Sequence, residues 1–155
     1  MSELWDWAVR AYGSDGVSDA CLHLQEAAGQ NVPLLLWAAW AARTGRTPDA
    51  DTLEAACDAA RAWQDAAIAP LRDIRRALKG RNPDLEDADR EAVRLQVKAV
   101  ELEAERRLLL ALEALSPPST GPSRPVIDAL VAVARQWSPM TPRAGLIGLV
   151  ERLPA

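Results

Sequence analysis

Chemistry needs groups that ionise, attack or ligate, and this chain supplies few of them. His23 is its one histidine, Cys21 and Cys57 its only cysteines, and Tyr12 its one tyrosine. A nucleophile, imidazole and acid triad could draw only on His23. No Ser, Cys or acid stands at motif spacing to it, and on a helical wheel it lies at the edge of the face carrying Ala20 and Leu24. It reads as a boundary side chain rather than a general base or pH switch. Zinc sites draw mostly on Cys and His, so neither a metal nor another cofactor is expected, and no catalytic residue is assigned. Cys21 and Cys57 read as small buried apolar residues. Two cysteines make no disulfide framework, and a reducing cytoplasm is the expected location.

Carboxylates are better represented. Asp84, Glu86, Asp87 and Asp89 fall in the first two turns of a predicted helix, where negative charge complements the dipole. Glu101 and Glu105 stand i,i+4 on one helix face, as a di-metal bundle would want, but the Glu-x-x-His motifs such bundles also require are missing from the sequence.

Two groupings remain as candidate partner or ligand surfaces. Arg72, Arg75, Arg76 and Lys79 are spaced i, i+3, i+4, i+7 and form one basic stripe, with Leu71, Ile74 and Leu78 on the apolar side of the same turns. Such a stripe can hold phosphate, an acidic partner helix or RNA. It also lies near a helix C-terminus, where cations are favoured, and across a hairpin from the acidic start of the next helix. The second grouping is aromatic. The chain has 6 Trp and no Phe, and Trp5, Trp7, Trp37 and Trp40 cluster in the N-terminal third. They read first as core bulk in place of Phe, and second as the wall of a ligand pocket. Trp5 and Trp7 diverge by about 200° on one helix, so one of them should be partly exposed or meet a partner.

The elements that must carry these residues are helical. The 155 residues suit one compact unit, and their 30 Ala, 21 Leu and 16 Arg are good helix formers. Net charge is −4, which argues against generic nucleic-acid binding. No charged-then-apolar leader follows Met1, so no signal peptide is expected. No segment alternates with period two. The expected fold is all-α: a multi-helix bundle with a central apolar helix, a long antiparallel helical hairpin and two short C-terminal helices. Helices are predicted at about 3–12, 15–28, 32–44, 48–79, 83–115, 125–137 and 142–152, punctuated by Gly13, Gly29, Gly45 and Gly80 and by the cap-Pro pairs Thr47-Pro48, Asn82-Pro83 and Thr141-Pro142. On the first helix Trp5, Ala8 and Tyr12 share a face. Residues 32–42 contain no polar side chain; the run is too short to span a bilayer, which needs about 20 residues, so it should be the buried centre. Gly80-Arg81-Asn82 should close the hairpin, and Pro70 should kink its first arm near Ala69. Val93, Val97, Val100, Ala104, Leu108, Ala111 and Leu115 would form the seam, with Leu95, Ala99, Leu102 and Leu109 as a second stripe. Domain limits are read as a bundle over 1–115, a Pro-rich exposed linker over 116–125, and a helical extension over 126–155 that docks on the bundle or on a partner.

Residues 4–42, with LWDW, ACLHLQ and NVPLLLW, resemble the start of a small proteobacterial family of uncharacterised proteins, a domain of unknown function. PLRDIRRALK and ELEAERRLLL are similar to that family's second half, so the resemblance covers about residues 3–115. At Asn31 and Pro33 this chain departs from the family's usual Asp and Asn. The resemblance implies no activity and no catalytic residues.

The sequence thus points first to a non-enzymatic cytoplasmic interaction protein, an adaptor or regulator, with a protein partner or a second copy of itself. A small-molecule binder with a Trp-lined pocket between the N-terminal helices is the alternative, and an enzyme relying on Arg and carboxylates the third. A flat apolar surface over the hairpin favours the first reading. A pocket of Trp5, Trp37 and Trp40 with a charged group favours the second, and an Arg–carboxylate cluster facing a cavity the third.

Overall fold

The computed structural model describes residues 2–154, and among them the regular structure is helical, with no strand. Helix α1 (Glu3–Tyr12) opens on Ser2, whose hydroxyl accepts the Trp5 amide. Helix α2 (Val17–Ala28) ends at Gly29, which takes the left-handed conformation that glycine permits. Helix α3 (Val32–Arg43) starts on Asn31, whose side chain accepts the Leu34 amide, with Pro33 in the first turn. Every residue from Val32 to Ala42 is buried. With no polar face to present, α3 is surrounded by α1, α2, α4 (Ala50–Trp63), α6 (Asp87–Leu115) and, most extensively, α7 (Val126–Trp137). Helix α8 (Arg143–Arg152) closes the far side against α2 and α7.

The segment at 116–125 is more than a spacer. The last carbonyls of a helix lack partners within it, and this strap supplies them at the end of α3. The Arg124 amide donates to the Ala42 carbonyl at 2.8 Å, the Ser123 hydroxyl to Arg43 at 2.8 Å, and the Ser119 hydroxyl to Thr44. Thr120 and Gly121 both donate to Gly45. Gly45 is left-handed, and a Cβ there would sit 1.9 Å from the Gly121 carbonyl, so only glycine fits. Much of the strap is exposed, as its composition predicts, but its backbone is tied down.

Several predicted details move. The inward face of α1 is Leu4, Trp7, Ala8 and Ala11, leaving Trp5 half-buried and Tyr12 at the surface. Asp49, not Thr47, caps α4, accepting the Thr52 amide at 2.8 Å. The hairpin connection runs from Leu78 to Glu86 instead of three residues. Asn82 accepts the Asp84 amide at 2.9 Å, and this local turn competes with helix. Helix α6 therefore starts late, with only Asp87 and Asp89 of the acidic run in its first turn. Pro70 disrupts the first arm where expected. A π-helical turn over Gln64–Ile68 widens the chain just before it, and α5 (Ala69–Ala77) continues beyond.

The predicted seam of α6 is only half realised. Its buried residues begin at Glu101; of the seam Ala104 and Leu108 are covered but Val93 and Val100 are not, and of the second stripe Leu109 is covered but Leu95 and Leu102 are not. A helix of 29 residues is about 43 Å long, against 10–12 residues for α1, α2 and α3. It overreaches the bundle. Residues 69–100 therefore form a two-helix arm, α5 against the first half of α6, in which no side chain is buried.

Candidate functional site

Where the arm joins the bundle, helices α1, α2, α3, α5 and α6 line a cleft with two lobes. The larger, about 360 Å³, carries the charged groups and is lined by Ser18, Cys21, Leu22 and Gln25 of α2, Arg75 of α5, and Lys98 and Glu101 of α6. The smaller, about 170 Å³, is apolar and is lined by Trp5, Val9, Pro33, Leu36 and Leu109, among others. Tyr12, Leu102 and Glu105 line both.

Glu101 is 7% exposed. A buried carboxylate requires partners, and it has two. Arg75 donates from Nε at 2.6 Å and Nη2 at 3.4 Å, and Arg72 Nε stands at 3.5 Å. Arg72 Nη2 also donates to Gln25 Oε1 at 3.0 Å, tying α5 to α2. The π turn sets this register. One extra residue in a turn rotates the downstream helix by about 100°, and Arg72 and Arg75 both lie beyond the turn.

Glu105 sits one turn beyond Glu101 and has neither ion pair nor hydrogen bond among the described residues. Burial first, and then the neighbouring Glu101 charge, push its carboxyl up to about 7; Arg72 and Arg75 pull the other way. The Tyr12 side chain is 42% exposed, but its hydroxyl is tucked against Cys21, where desolvation raises it and pushes the Cys21 thiol up to about 12. Both stay protonated at neutral pH. Cys21 and Cys57 are free and buried.

The basic stripe is mostly engaged within the chain. Arg72 and Arg75 hold Glu101, Arg76 pairs with Glu26 of α2, and only Lys79 stands exposed without an ion partner among the described residues. The expected pairing with the acidic start of α6 is made instead by Arg81 and Arg90 on Asp87. Trp5 and Trp7 serve different surfaces. Trp5 lines the apolar lobe, whereas Trp7 and Trp40 border a shallow depression beside Arg10 and Arg43. Trp37 is fully buried and donates from Nε1 to the Ser116 hydroxyl at 2.8 Å. The Trp-lined pocket thus contains Trp5 without Trp37 or Trp40. His23 is exposed beside Asp19 and Arg152, away from the cleft. Sequence reasoning missed Gln25, Lys98 and the meeting of Tyr12 with Cys21; the i,i+4 spacing of Glu101 and Glu105 was the visible signal for the rest. Among the described residues no three His, Cys, Asp or Glu side chains gather to hold a metal ion.

A model of a family described as a protein of unknown function, DUF2390, matches residues 3–112. The chain belongs to the DUF2390 family. No curated protein and no solved structure matches it. The DUF2390 segment holds every residue that lines the two lobes and the whole arm, while the strap, α7 and α8 lie beyond it. No helix among the described residues is long and apolar enough to cross a membrane.

Proposed function

We propose that this DUF2390 protein is a non-enzymatic cytoplasmic interaction module, an adaptor or regulator, and that the arm at 69–100 is its docking element. One observation carries the reading: the arm has no buried residue, yet it holds large apolar side chains in water. Ile74 is 49% exposed, Val93 50% and Val100 54%. By helical phase, Ile74 and Leu78 lie on the flank of α5 away from its Arg76–Glu26 tie to α2, and Leu71, partly buried against the core, joins that flank to the bundle. In the antiparallel pair Val93, Val97 and Val100 of α6 fall on that same flank. Contiguous apolar surface of this kind marks interaction sites, and two helices joined in this way leave a groove for the apolar face of a third. Lys79 adds a cation with no ion partner among the described residues at the arm's end, while Arg72, Arg75 and Arg76 brace the arm from behind.

The test is a pair of substitutions, Ile74→Ser with Val100→Ser, in the full chain. Both side chains are half in water, so the melting temperature should hardly move. A partner recovered by the parent protein from its native cells should be lost, and any self-association seen by sedimentation should vanish with it. Unchanged recovery and unchanged sedimentation would reject the arm as the docking element.

A further inference from the structure

We propose that the two-lobed cleft is a binding site for a protonated amine carried on a small apolar body, with the ammonium on Glu105 and the apolar body in the lobe walled by Trp5. This is independent of the role given to the arm. Three features support it. First, Glu105 is the carboxyl in the cleft with neither ion pair nor hydrogen bond among the described residues, and it lines both lobes, at the boundary where an amphipathic ligand changes from apolar to polar. Its neighbour Glu101 is already satisfied by Arg72 and Arg75. Second, the apolar lobe measures about 170 Å³, and an apolar cavity of roughly 150 Å³ takes a benzene-sized guest. Third, the guanidiniums nearby are held by other groups. Arg75 donates to Glu101 and Arg72 to Gln25, both pair with Glu101, and neither bonds Glu105 among the described residues; Lys98 lies seven residues away, about 10 Å along the helix. An ammonium placed on Glu105 would give that carboxylate the ion partner it lacks among the described residues. A neutral ligand of the same shape would not.

The groups facing Glu105 are Tyr12 from α1, Cys21 from α2, Arg72 and Arg75 from α5, and Glu101 and Lys98 from α6. Tyr12 and Cys21 stay neutral through the physiological range, and Glu105, pushed up to about 7, changes charge near neutrality. An alkylammonium keeps its proton there, as lysine does.

The probe is 2-phenylethylamine, titrated into the full chain with NMR detection at the Trp5 indole, beside 2-phenylethanol as the neutral isostere. The amine should give saturable shifts and bind at least tenfold more tightly than the alcohol near pH 8. Glu105→Gln should reduce the amine to the alcohol's level. In the unaltered protein, amine affinity should fall toward the alcohol's level, by tenfold or more, between about pH 8 and about pH 5, as Glu105 takes up its proton. Binding of the amine no tighter than the alcohol, or undiminished in Glu105→Gln, would overturn the proposal. So would the absence of saturable shifts. If Glu105→Gln does not fold, the pH series on the unaltered chain decides, and a flat profile rejects the site.

Discussion

Glu105 concentrates the account at the scale of a single residue. Its carboxyl moves from an ordinary value of 4.5 to about 7 in the folded protein. Between those values the folded state holds a proton that the unfolded state releases, so stability falls as pH rises through the window and is lowest above 7. Glu105→Gln removes that penalty. It should stabilise the protein by about 2–3 kcal/mol near pH 8 and by almost nothing near pH 4. Denaturant melts at the two pH values test this, and an equal change at both would show that the carboxyl is not desolvated. Trp37 belongs to the same scale. It is fully buried and its indole N–H is satisfied by Ser116. Trp37→Ala should cost about 3–5 kcal/mol in denaturant unfolding, against a total near 5–15 kcal/mol for a domain. A loss below about 1 kcal/mol would contradict the placing of α3 at the centre. The core role of Trp37 was legible because its helix offers no polar side. Glu105 was legible only as the partner of Glu101 in spacing, since desolvation depends on α1 and α2 closing over it.

Among the elements, the π turn and the arm matter most. Pro70 announced the disruption, but its form was not readable, because Asn31 holds the turn from another helix. Its side chain donates to Gln64 Oε1 at 3.1 Å. The two apolar stripes of α6 were legible too, and so was their suggestion of more than one neighbour. Which parts would find a neighbour within the chain was not, because that depends on how far α1, α2 and α3 reach. Arg90 marks how the arm is held without a core, donating to the Leu78 carbonyl at 2.6 Å and capping α5. With no buried side chain, the arm should open far more easily than the bundle. Amides of 69–100 should exchange through local opening, while those of α3 should await global unfolding. Hydrogen exchange read by mass spectrometry separates the two, and protection of the arm equal to that of α3 would mean that it is not a detached element.

On the scale of the whole molecule, the family match ends near the end of α6, but the packing does not. Helix α7 lays Leu130, Val133, Ala134 and Trp137 into the core, and the strap closes the end of α3. Burial of each large apolar side chain contributes roughly 1.5–3 kcal/mol, so losing several exceeds the margin of a typical domain. A chain stopped after Leu115 should be unfolded or aggregated by circular dichroism and sedimentation; a stable, native-like monomer would show that the extension is dispensable. Composition divides the chain at 116, but composition reports chain stiffness and not where hydrogen bonds go. What this arrangement leaves uncovered is the arm, and its role as docking element is tested most directly by photocrosslinking in native cells. A photoreactive residue is placed at Val100 or at Ile74, and, as a control of similar exposure, at Ile147 on α8. The account predicts one shared adduct from both arm positions and none from Ile147. The same adducts from all three positions, or none from the arm, would contradict it.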